Sequence, residues 1–236
     1  MKKHVRTMLE LQGVSKTFTQ ASEKIQALTE TDFMIHAGEF VALIGPSGSG
    51  KSTFLTIAGG LQNPSKGRVI IDGIDVTNMS VNELSRVRLE HVGFILQASS
   101  LVPFLSVDQQ LELHARVTKT ALDRRLRDEL FRTLGITKLR QKFPGDLSGG
   151  ERQRAAIAKV LYGNPNLILA DEPTASLDTT KAYEVVKLLA RETHERGKAT
   201  IMVTHDERLI EFCDRVYEMR DGVLHERKKR PRTRKT

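Results

Sequence analysis

The chain has 236 residues, of which 39% are hydrophobic, and its 37 Lys and Arg outnumber its 29 Asp and Glu to give a net charge of +8. This length suits one large α/β domain, and no apolar run approaches the roughly 18 residues that a membrane-spanning helix needs. The single cysteine, Cys213, excludes an internal disulfide and indicates a reducing compartment. No apolar segment follows the basic start, so we expect no signal peptide.

The positive charge is concentrated at the C-terminus. Residues 226–236 hold seven Lys or Arg against one Glu, so this tail accounts for +6 of the net charge. Three interpretations stay open: a solvated disordered segment, a weak contact with anionic lipid headgroups, and nucleic-acid binding. Because no aromatic residues are interleaved for base stacking, we expect no nucleic-acid partner.

Alternating and fully apolar stretches predict strands in the first part of the chain. These strands are Met8–Val14, Ile25–Ile35, Phe40–Ile44, Arg68–Ile71 and Val92–Leu96, with one helix from about Lys51 to Leu61. The stretch from Leu105 to about Leu139 has helical periodicity and no strand signal. We therefore expect an inserted helical subdomain at about residues 98–150.

The second part of the chain alternates helices with strands. The pattern predicts helices Gly150–Tyr162 and Thr180–Glu195, strands Leu167–Ala170 and Thr200–Val203, and a final hairpin of Arg215–Met219 with Val223–His225. Such alternation indicates an α/β fold with a mostly parallel sheet and helices on both faces. We predict one domain over residues 8–225, followed by the basic tail 226–236.

The segment between the third strand and the first helix fits the phosphate-binding pattern G-x-x-x-x-G-K-[ST]. It consists of Gly45, Pro46, Ser47, Gly48, Ser49, Gly50, Lys51, Ser52 and Thr53. The glycines let successive N–H groups point at phosphates, and the helix N-terminus adds its partial positive charge. We expect Lys51 to reach the β- and γ-phosphates of ATP and the Ser52 hydroxyl to bind Mg²⁺.

The strand Leu167–Ala170 ends in two carboxylates, Asp171 and Glu172. Parallel strands present their carboxyl ends to the ligand crevice. Asp171 is therefore predicted to hold Mg²⁺, directly or through water, and Glu172 to act as the general base for the attacking water. A pair of acids at a helix N-terminus before Pro173 is the structural alternative.

Gln97 and His205 also follow apolar strands, VGFIL and TIMVT. The amide oxygen of Gln97 is suited to ligate Mg²⁺ or the water, and a neutral imidazole at His205 is suited to contact the γ-phosphate and orient the water. A surface glutamine and a structural histidine are the alternatives that this placement disfavours.

Phe18 is the candidate for stacking on adenine. It is an aromatic residue in an otherwise polar segment, which we expect to be a loop between the first two strands. Stacking of a base on an aromatic side chain contributes about 1–3 kcal/mol in nucleic-acid complexes. Packing into the core is the alternative for this side chain.

Residues 147–151 spell LSGGE, and Ser148, Gly149 and Gly150 come just before a helix that we expect to begin near Glu151. Free N–H groups, a hydroxyl and the helix dipole form a second anion site there. One ATP on one domain does not need two such sites, whereas two domains arranged head to tail do. We predict a homodimer with two composite ATP sites, and Asp178 near the dimer seam.

These motifs together resemble the ATPase subunit of an ABC transporter over about residues 8–225. The resemblance rests on the phosphate loop, Gln97, LSGGE, LILADEP, SLD and His205, in this order and spacing. It implies a P-loop NTPase core of the RecA-like type, an antiparallel β subdomain and an inserted α-helical subdomain. Glu151 stands where Gln is common, and Ala-Lys-Val at 158–160 where Ala-Arg-Ala is frequent; we expect neither departure to affect the chemistry.

The sequence GFILQASSLVPFLSVDQQL at 93–111 is similar to ATPases of the MacB and lipoprotein-release type, which drive a permease by mechanotransmission. With ADEPTASLD and THDERLIEFCDRVYEMRDG it most resembles haem-exporter ATPases of the Hrt type. This implies haem efflux, an FtsX-like integral-membrane permease and a location at the cytoplasmic face of the bacterial membrane. Leu101, Val102, Phe104 and Leu105 are expected either to form the groove for the permease or to pack within the helical subdomain.

Other function classes explain part of the same pattern. DNA-repair and translation ATPases of this superfamily generally have two cassettes or a long coiled-coil insertion, and the sequence contains neither. A simple P-loop kinase leaves LSGGE unexplained. ATPases for lipoprotein release, antimicrobial-peptide export or FtsE-like cell-wall regulation share nearly every residue above, so only the permease partner separates them from a haem exporter.

Overall fold

The computed structural model describes residues 5–20 and 23–227, so the predicted tail beyond residue 227 lies outside the described residues. The strands are β1 Thr7–Gln20, β2 Glu23–His36, β3 Phe40–Ile44, β4 Lys66–Ile71, β5 Ile74–Asp75, β6 Val92–Ile95, β7 Leu167–Asp171, β8 Ala199–Val203, β9 Arg215–Arg220 and β10 Val223–Arg227. The helices are α1 Lys51–Ala58, α2 Val81–His91, α3 Val107–Thr118, α4 Arg124–Thr133, α5 Gly149–Tyr162 and α6 Thr179–Arg196, with 3₁₀ turns at Thr137–Leu139, Pro144–Asp146 and Glu207–Phe212. Strand β10 continues through Arg227, two residues into the predicted tail.

The strands form two sheets. The larger has the order β10-β9-β3-β8-β7-β6, and every neighbouring pair in it is parallel except β9 with β10. The smaller is antiparallel, with the order β2-β1-β4-β5. The predicted mostly parallel core sheet and antiparallel β part are both confirmed.

The larger sheet lies between two hydrophobic clusters because successive side chains of a strand point to opposite faces. On one face, Phe40 and Ala42 of β3 pack in a cluster with apolar residues of α3, α4, α5 and α6. On the other face, Val41 and Leu43 pack with α1, α2 and the antiparallel sheet. Both faces of β3 are therefore buried, which explains its uninterrupted apolar sequence.

Helix α2 was not predicted from the sequence. It buries only Leu84 and Val87, so its apolar stripe is weak. Its N-terminus is fixed by a capping box in which Glu83 Oε2 accepts from the Ser80 backbone N–H at 2.9 Å. None of the helices within the described part of the chain is long and apolar enough to cross a membrane.

Asp72 joins the antiparallel sheet to the core sheet at the edge where β6 and β7 begin. The Asp72 side chain is 1% exposed. It accepts hydrogen bonds from Arg6 at 2.5 and 2.7 Å and from Asn166 Nδ2 at 2.8 Å. It also pairs with His91 Nδ1 at 2.9 Å. Segments far apart in sequence thus meet at one buried carboxylate. This cluster lies at the end of the core strands opposite to the site described below.

Candidate functional site

A cavity of about 510 Å³ opens where the carboxyl ends of β3, β7 and β8 meet. In a parallel sheet this edge is where ligands bind. The cavity is lined by Ala27, Gly45, Ser47, Gly48, Gly50, Lys51, Ser52, Thr53, Gln97, Asp171, Glu172, Val203 and His205. The structure therefore brings together most of the phosphate loop and all four polar candidates from the ends of other strands.

Two glycines of the phosphate loop are required by the backbone around them. A Cβ on Gly50, which has φ of +105°, would lie 2.3 Å from the carbonyl oxygen of Ala27, and a Cβ on Gly45 would lie 2.2 Å from that of Met219. Gly50 is the N-cap of helix α1, and no side chain caps this helix. Its first N–H groups are therefore left for a ligand in the cavity.

Lys51 is folded onto its own loop. Its Nζ donates to the carbonyl oxygens of Gly45 at 2.9 Å and Pro46 at 2.7 Å. Two loop residues, Pro46 and Ser49, are not among those that line the cavity. Ser49 is 4% exposed, and its N–H donates to the Pro46 carbonyl at 3.4 Å. The loop is thus closed by its own polar groups.

The β9–β10 hairpin supports the phosphate loop from behind. The N–H of Gly222, in the turn of this hairpin, donates to the carbonyl of Ser49 at 3.0 Å. The Gly222 carbonyl in turn accepts from the N–H of Thr29 at 2.9 Å. Backbone far along the chain, together with β2, therefore fixes the shape of the loop.

The cavity contains oxygen atoms suited to Mg²⁺. The Ser52 hydroxyl donates to Asp171 Oδ2 at 3.0 Å. Two neighbouring ligands of an octahedral Mg²⁺ ion lie about 2.9 Å apart, given metal–oxygen distances of about 2.0–2.1 Å. The pair already has the spacing of two adjacent ligands, and Gln97 lines the same cavity with an exposed side chain.

Glu172 and His205 form a direct pair. His205 Nδ1 lies 3.0 Å from Glu172 Oε1, and the imidazole is 77% exposed whereas the carboxylate is 16% exposed. Glu172 has φ of +48°, a conformation that L-residues with long side chains rarely adopt, and its N–H donates to the Val203 carbonyl at 3.1 Å. This turn directs the carboxylate away from the line of β7 and toward the end of β8.

Phe18 does not lie in a loop. It belongs to β1 and pairs with Ile25 of β2, because these two strands continue their pairing well beyond the predicted ends. Its ring is 37% exposed, with Lys16 Nζ 5.3 Å from the ring centroid, and it is not among the residues that line the cavity. The prediction of a loop position was wrong, and the stacking role stays a prediction.

The LSGGE segment lies outside this cavity. Helix α5 begins at Gly149, earlier than predicted, and Ser148 caps it: Ser148 Oγ accepts from the Glu151 N–H at 3.2 Å, and Glu151 Oε2 accepts from the Ser148 N–H at 2.8 Å. This backbone bond is the main reason that the pKa of Glu151 lies below its ordinary value. Ser148 and Gly149 are exposed and Gly150 is partly exposed, so the helix N-terminus faces outward.

The segment after β7 contacts the LSGGE segment. Ser176 Oγ lies 3.5 Å from the carbonyl oxygen of Gly149. Asp178 caps α6, and its Oδ1 accepts from the Lys181 N–H at 2.9 Å. Asp178 therefore lies near LSGGE and is exposed, although its carboxylate is bound within its own helix.

Two functional candidates on α5 were missed from the sequence. Gln153 Nε2 donates to the Leu96 carbonyl at 3.3 Å, and Lys159 Nζ donates to the Ser100 carbonyl. Both carbonyls flank Gln97. The substitution of Lys at position 159 was a visible departure from the family pattern, but its contact depends on tertiary structure.

Comparison with known proteins identifies the family of this chain. A family model described as ABC transporter matches residues 28–175. A protein named putative hemin import ATP-binding protein HrtA, from Staphylococcus haemolyticus, is 42% identical over 92% of this chain and 98% of its own length. The macrolide export ATP-binding/permease protein MacB of Agrobacterium fabrum is 41% identical over 92% of this chain but only 34% of its own length.

Solved structures agree with this result. The dimeric post-hydrolysis structure of the ATP-binding cassette MJ0796 with ADP and Pi is 36% identical and has a TM-score of 0.87, over 93% of this chain and 98% of that one. The protein MJ0796 of Methanocaldococcus jannaschii is named an uncharacterized ABC transporter ATP-binding protein.

The chain belongs to the ABC transporter family and is an ATP-hydrolysing, ATP-binding subunit. Within the family it is of the type that includes HrtA and MacB.

Proposed function

We propose that this chain is the ATPase subunit of a haem-efflux transporter, and that two copies close head to tail around two ATP molecules to drive an FtsX-like permease. The observation that carries the ATPase part of the proposal is the cavity in which Lys51, Ser52, Gln97, Asp171, Glu172 and His205 converge. The haem part is supported by the likeness to proteins named hemin import ATP-binding protein HrtA. A lysine, hydroxyl, amide, two carboxylates and an imidazole around one phosphate loop are the groups that phosphoryl transfer to water requires.

In this proposal each residue acts on one part of ATP. Lys51 leaves the carbonyls of its own loop and binds the β- and γ-phosphates. Ser52, Asp171 and Gln97 hold Mg²⁺, which supplies charge neutralisation of the phosphates when it is bound. Glu172 accepts the proton of the attacking water, and His205 orients that water and the γ-phosphate.

The dimer in this proposal completes each site with a second subunit. Ser148, Gly149 and Gly150 lie outside the cavity but begin a helix whose first N–H groups have no carbonyl partner within it. The MJ0796 structures are titled dimeric, and their cassettes resemble this chain over nearly the whole length. We propose that each LSGGE segment binds the γ-phosphate held by the other subunit, with Asp178 beside the seam.

The permease in this proposal binds a groove of about 340 Å³ between α2, β6, α3 and α5. Apolar side chains line it, among them Leu89, Leu113 and Val117, and each of these three is more than a third exposed. Exposed apolar patches of this kind mark partner sites. Leu101, Val102, Phe104 and Leu105, the residues predicted for a permease groove, are not among those that line it. Phe104 is 75% exposed, Leu105 shares a smaller depression with Leu113, and Leu101 packs against the core, as the alternative interpretation expects. Bound there, the chain is peripheral, at the cytoplasmic face of the membrane.

Efflux is supported by the likeness to MacB, whose printed name gives macrolide export. The name of the HrtA relatives, putative hemin import, favours the opposite direction as a second candidate. A direct test is to purify the chain with its permease and measure the stimulation of ATP hydrolysis by haem, with a lipoprotein and an antimicrobial peptide as competing substrates. Stimulation by haem alone supports a haem transporter, and stimulation only by another substrate contradicts it.

The direction is tested in cells that contain Glu172→Gln in place of the natural chain, with the exposed Glu195→Gln as the matched control. Efflux predicts that the Glu172→Gln cells accumulate haem and stop growing at lower haem concentrations. If the transporter imports haem, the Glu172→Gln cells should accumulate less haem than the control cells, and this result would contradict the efflux proposal.

A further inference from the structure

The loop that carries Gln97 is attached at two points to helix α5. Before Gln97, the carbonyl of Leu96 accepts from Gln153 Nε2 at 3.3 Å. After Gln97, the carbonyl of Ser100 accepts from Lys159 Nζ. Gln97 itself is exposed and reaches the ATP cavity. The backbone on both sides of this side chain is therefore positioned by one helix.

The far end of the same loop is attached to α3. Gln110, 1% exposed, accepts from the Val102 N–H at 3.0 Å and donates to the carbonyls of Val102 at 2.8 Å and Leu105 at 2.9 Å. This buried amide thus satisfies three backbone groups of the loop. The loop is therefore held by α3 at its far end and by α5 on both sides of Gln97.

Helix α5 also carries the LSGGE segment at its first residues. Gln153 lies in the second turn, and Lys159 is six residues further along, a separation of about 9 Å at 1.5 Å per residue. If α5 moves as one body, a displacement of LSGGE on closing against a second ATP would shift both donors that hold the Leu96 and Ser100 carbonyls.

Of the two side chains of α5 that hold the loop, Lys159 is the more exposed and makes the stronger hydrogen bond. Its side chain is half-buried, and burial lowers its pKa from the ordinary value. A hydrogen bond from an ammonium to a carbonyl is stronger than a neutral one, and partial exclusion of water strengthens it further. Gln153, which is 2% exposed, contributes a neutral bond.

We propose that Lys159, assisted by Gln153, is a positioning residue that fixes the Gln97 loop to the LSGGE helix, so that closure at one ATP site sets the place of Gln97 in the other. Lys159 also lines the apolar groove, as does Gln110. A partner in that groove therefore touches the same two attachments. The proposal rests on the role of Gln97 in the proposed function.

The test is a double-mutant cycle on the full chain, with kcat and KM for ATP measured over a range of Mg²⁺ concentrations. Lys159→Met keeps the length and apolar stem but removes the donor. A displacement of about 1 Å at a reacting group costs up to about 100-fold in rate, so a partial displacement is expected to lower kcat about tenfold with KM nearly unchanged. Lys159→Arg restores a donor and most of kcat. The exposed Lys187→Met is the matched control and stays at the wild-type rate.

The combination with Gln97→Ala separates positioning from a general structural effect. If Lys159 acts through Gln97, Lys159→Met causes no further loss in the Gln97→Ala background; multiplied losses, or an unchanged kcat in the single variant, overturn the proposal. Wild-type kcat in Gln97→Ala alone overturns the assigned role of Gln97 instead, and the proposal with it. Thermal unfolding of each variant is measured in parallel, and Gln153→Met repeats the cycle if Lys159→Met does not fold.

Discussion

Helices α1 and α5 both begin at glycine-containing segments that are expected to bind phosphate, but their N-termini differ. At α1, Gly50 adopts a left-handed conformation and no side chain caps the helix. At α5, Ser148 and Glu151 form a complete capping box. The first N–H groups of α1 are left without a side-chain acceptor and are available to a ligand. At α5, the Ser148 hydroxyl accepts from the Glu151 N–H, and the Glu151 carboxylate lies beside the remaining free N–H groups.

The surroundings of the two helix N-termini also differ, because one lies in a cavity and the other faces outward. The start of α1 forms part of a cavity built from several strand ends, and its polar groups are already paired with one another. The start of α5 faces outward. This difference fits the proposal that the first segment binds phosphate within its own subunit, while the second binds a phosphate held by the other subunit. Variants in the two segments and their surroundings test this difference, and a variant of Asp72 provides a contrast outside both.

Glu172→Gln should lower the rate of ATP hydrolysis in the cavity without weakening ATP binding. Because the amide does not accept a proton, turnover is expected to fall by about 10²–10⁴, the range for a lost general base. ATP binding is retained, so the variant accumulates as a closed dimer, which size-exclusion chromatography with ATP detects. Glu195→Gln, on an exposed position of α6, serves as the control. Near-normal hydrolysis would remove Glu172 from the role of base.

Ser148→Arg and Lys51→Ala should each abolish turnover alone but restore it when mixed. In a head-to-tail pair, one mixed site combines an intact phosphate loop with an intact LSGGE segment. Equal mixing gives half mixed dimers with one working site of two, and so about a quarter of the wild-type rate. Steady-state ATPase measured against mixing ratio checks this. A mixture as inactive as its components contradicts sites shared between subunits.

Asp72→Ala should change stability and leave both phosphate segments intact. It removes bonds to Arg6, His91 and Asn166 at the opposite edge of the core sheet. Loss of charge-assisted hydrogen bonds at one buried carboxylate is expected to lower the free energy of unfolding by about 2–3 kcal/mol. Urea unfolding measures the loss, and kcat at low temperature should equal that of wild type. A fall in kcat without a fall in stability would connect this cluster to the site.

Glu151→Gln should strengthen closure slightly. The pKa of Glu151 is lowered by its bond from Ser148, so the carboxylate is charged at neutral pH and opposes an approaching phosphate. The amide is expected to lower the ATP concentration needed for closure about two- to fivefold at low ionic strength, less in high salt. Light scattering of the Glu172→Gln background over an ATP titration measures it.

The stability of the natural chain and that of Glu151→Gln should depend differently on pH, because the pKa of Glu151 is lowered in the folded state. Because the folded pKa of Glu151 is below the unfolded one, its capping contribution to stability is present above the unfolded pKa and is lost as pH falls through the folded value. Glu151→Gln should remove that acid-side loss of stability. Identical acid unfolding midpoints in the two chains would contradict the capping contribution.

The sequence predicted best those elements whose burial makes them uniformly apolar. Strand β3 has the predicted bounds, Phe40–Ile44, because both of its faces are covered. Helix α2 was missed because only two of its side chains are buried; its Ser-x-x-Glu capping box, Ser80 with Glu83, was the available signal. Phe18 was placed in a loop because the pairing that extends β1 and β2 there involves mainly polar residues.

Candidate site residues were predictable where they follow a buried strand. Asp171, Glu172 and His205 meet at one edge because parallel strands end there, and the sequence contains those strands. The attachment of Lys159 to Ser100 was not predictable, since it joins a helix face to a loop across 59 positions of sequence. Local patterns contain no information about that distance.

The hydrogen bond from Gly222 to the carbonyl of Ser49 has a consequence for how the protein is made. Residues 45–53 leave the ribosome early, yet the hairpin that holds them in shape is translated among the last elements of the domain. A nascent chain that stops before residue 222 therefore contains residues 45–53 without the backbone hydrogen bond that holds Ser49. We therefore expect the phosphate loop to reach its final shape only after the β9–β10 hairpin has been synthesised.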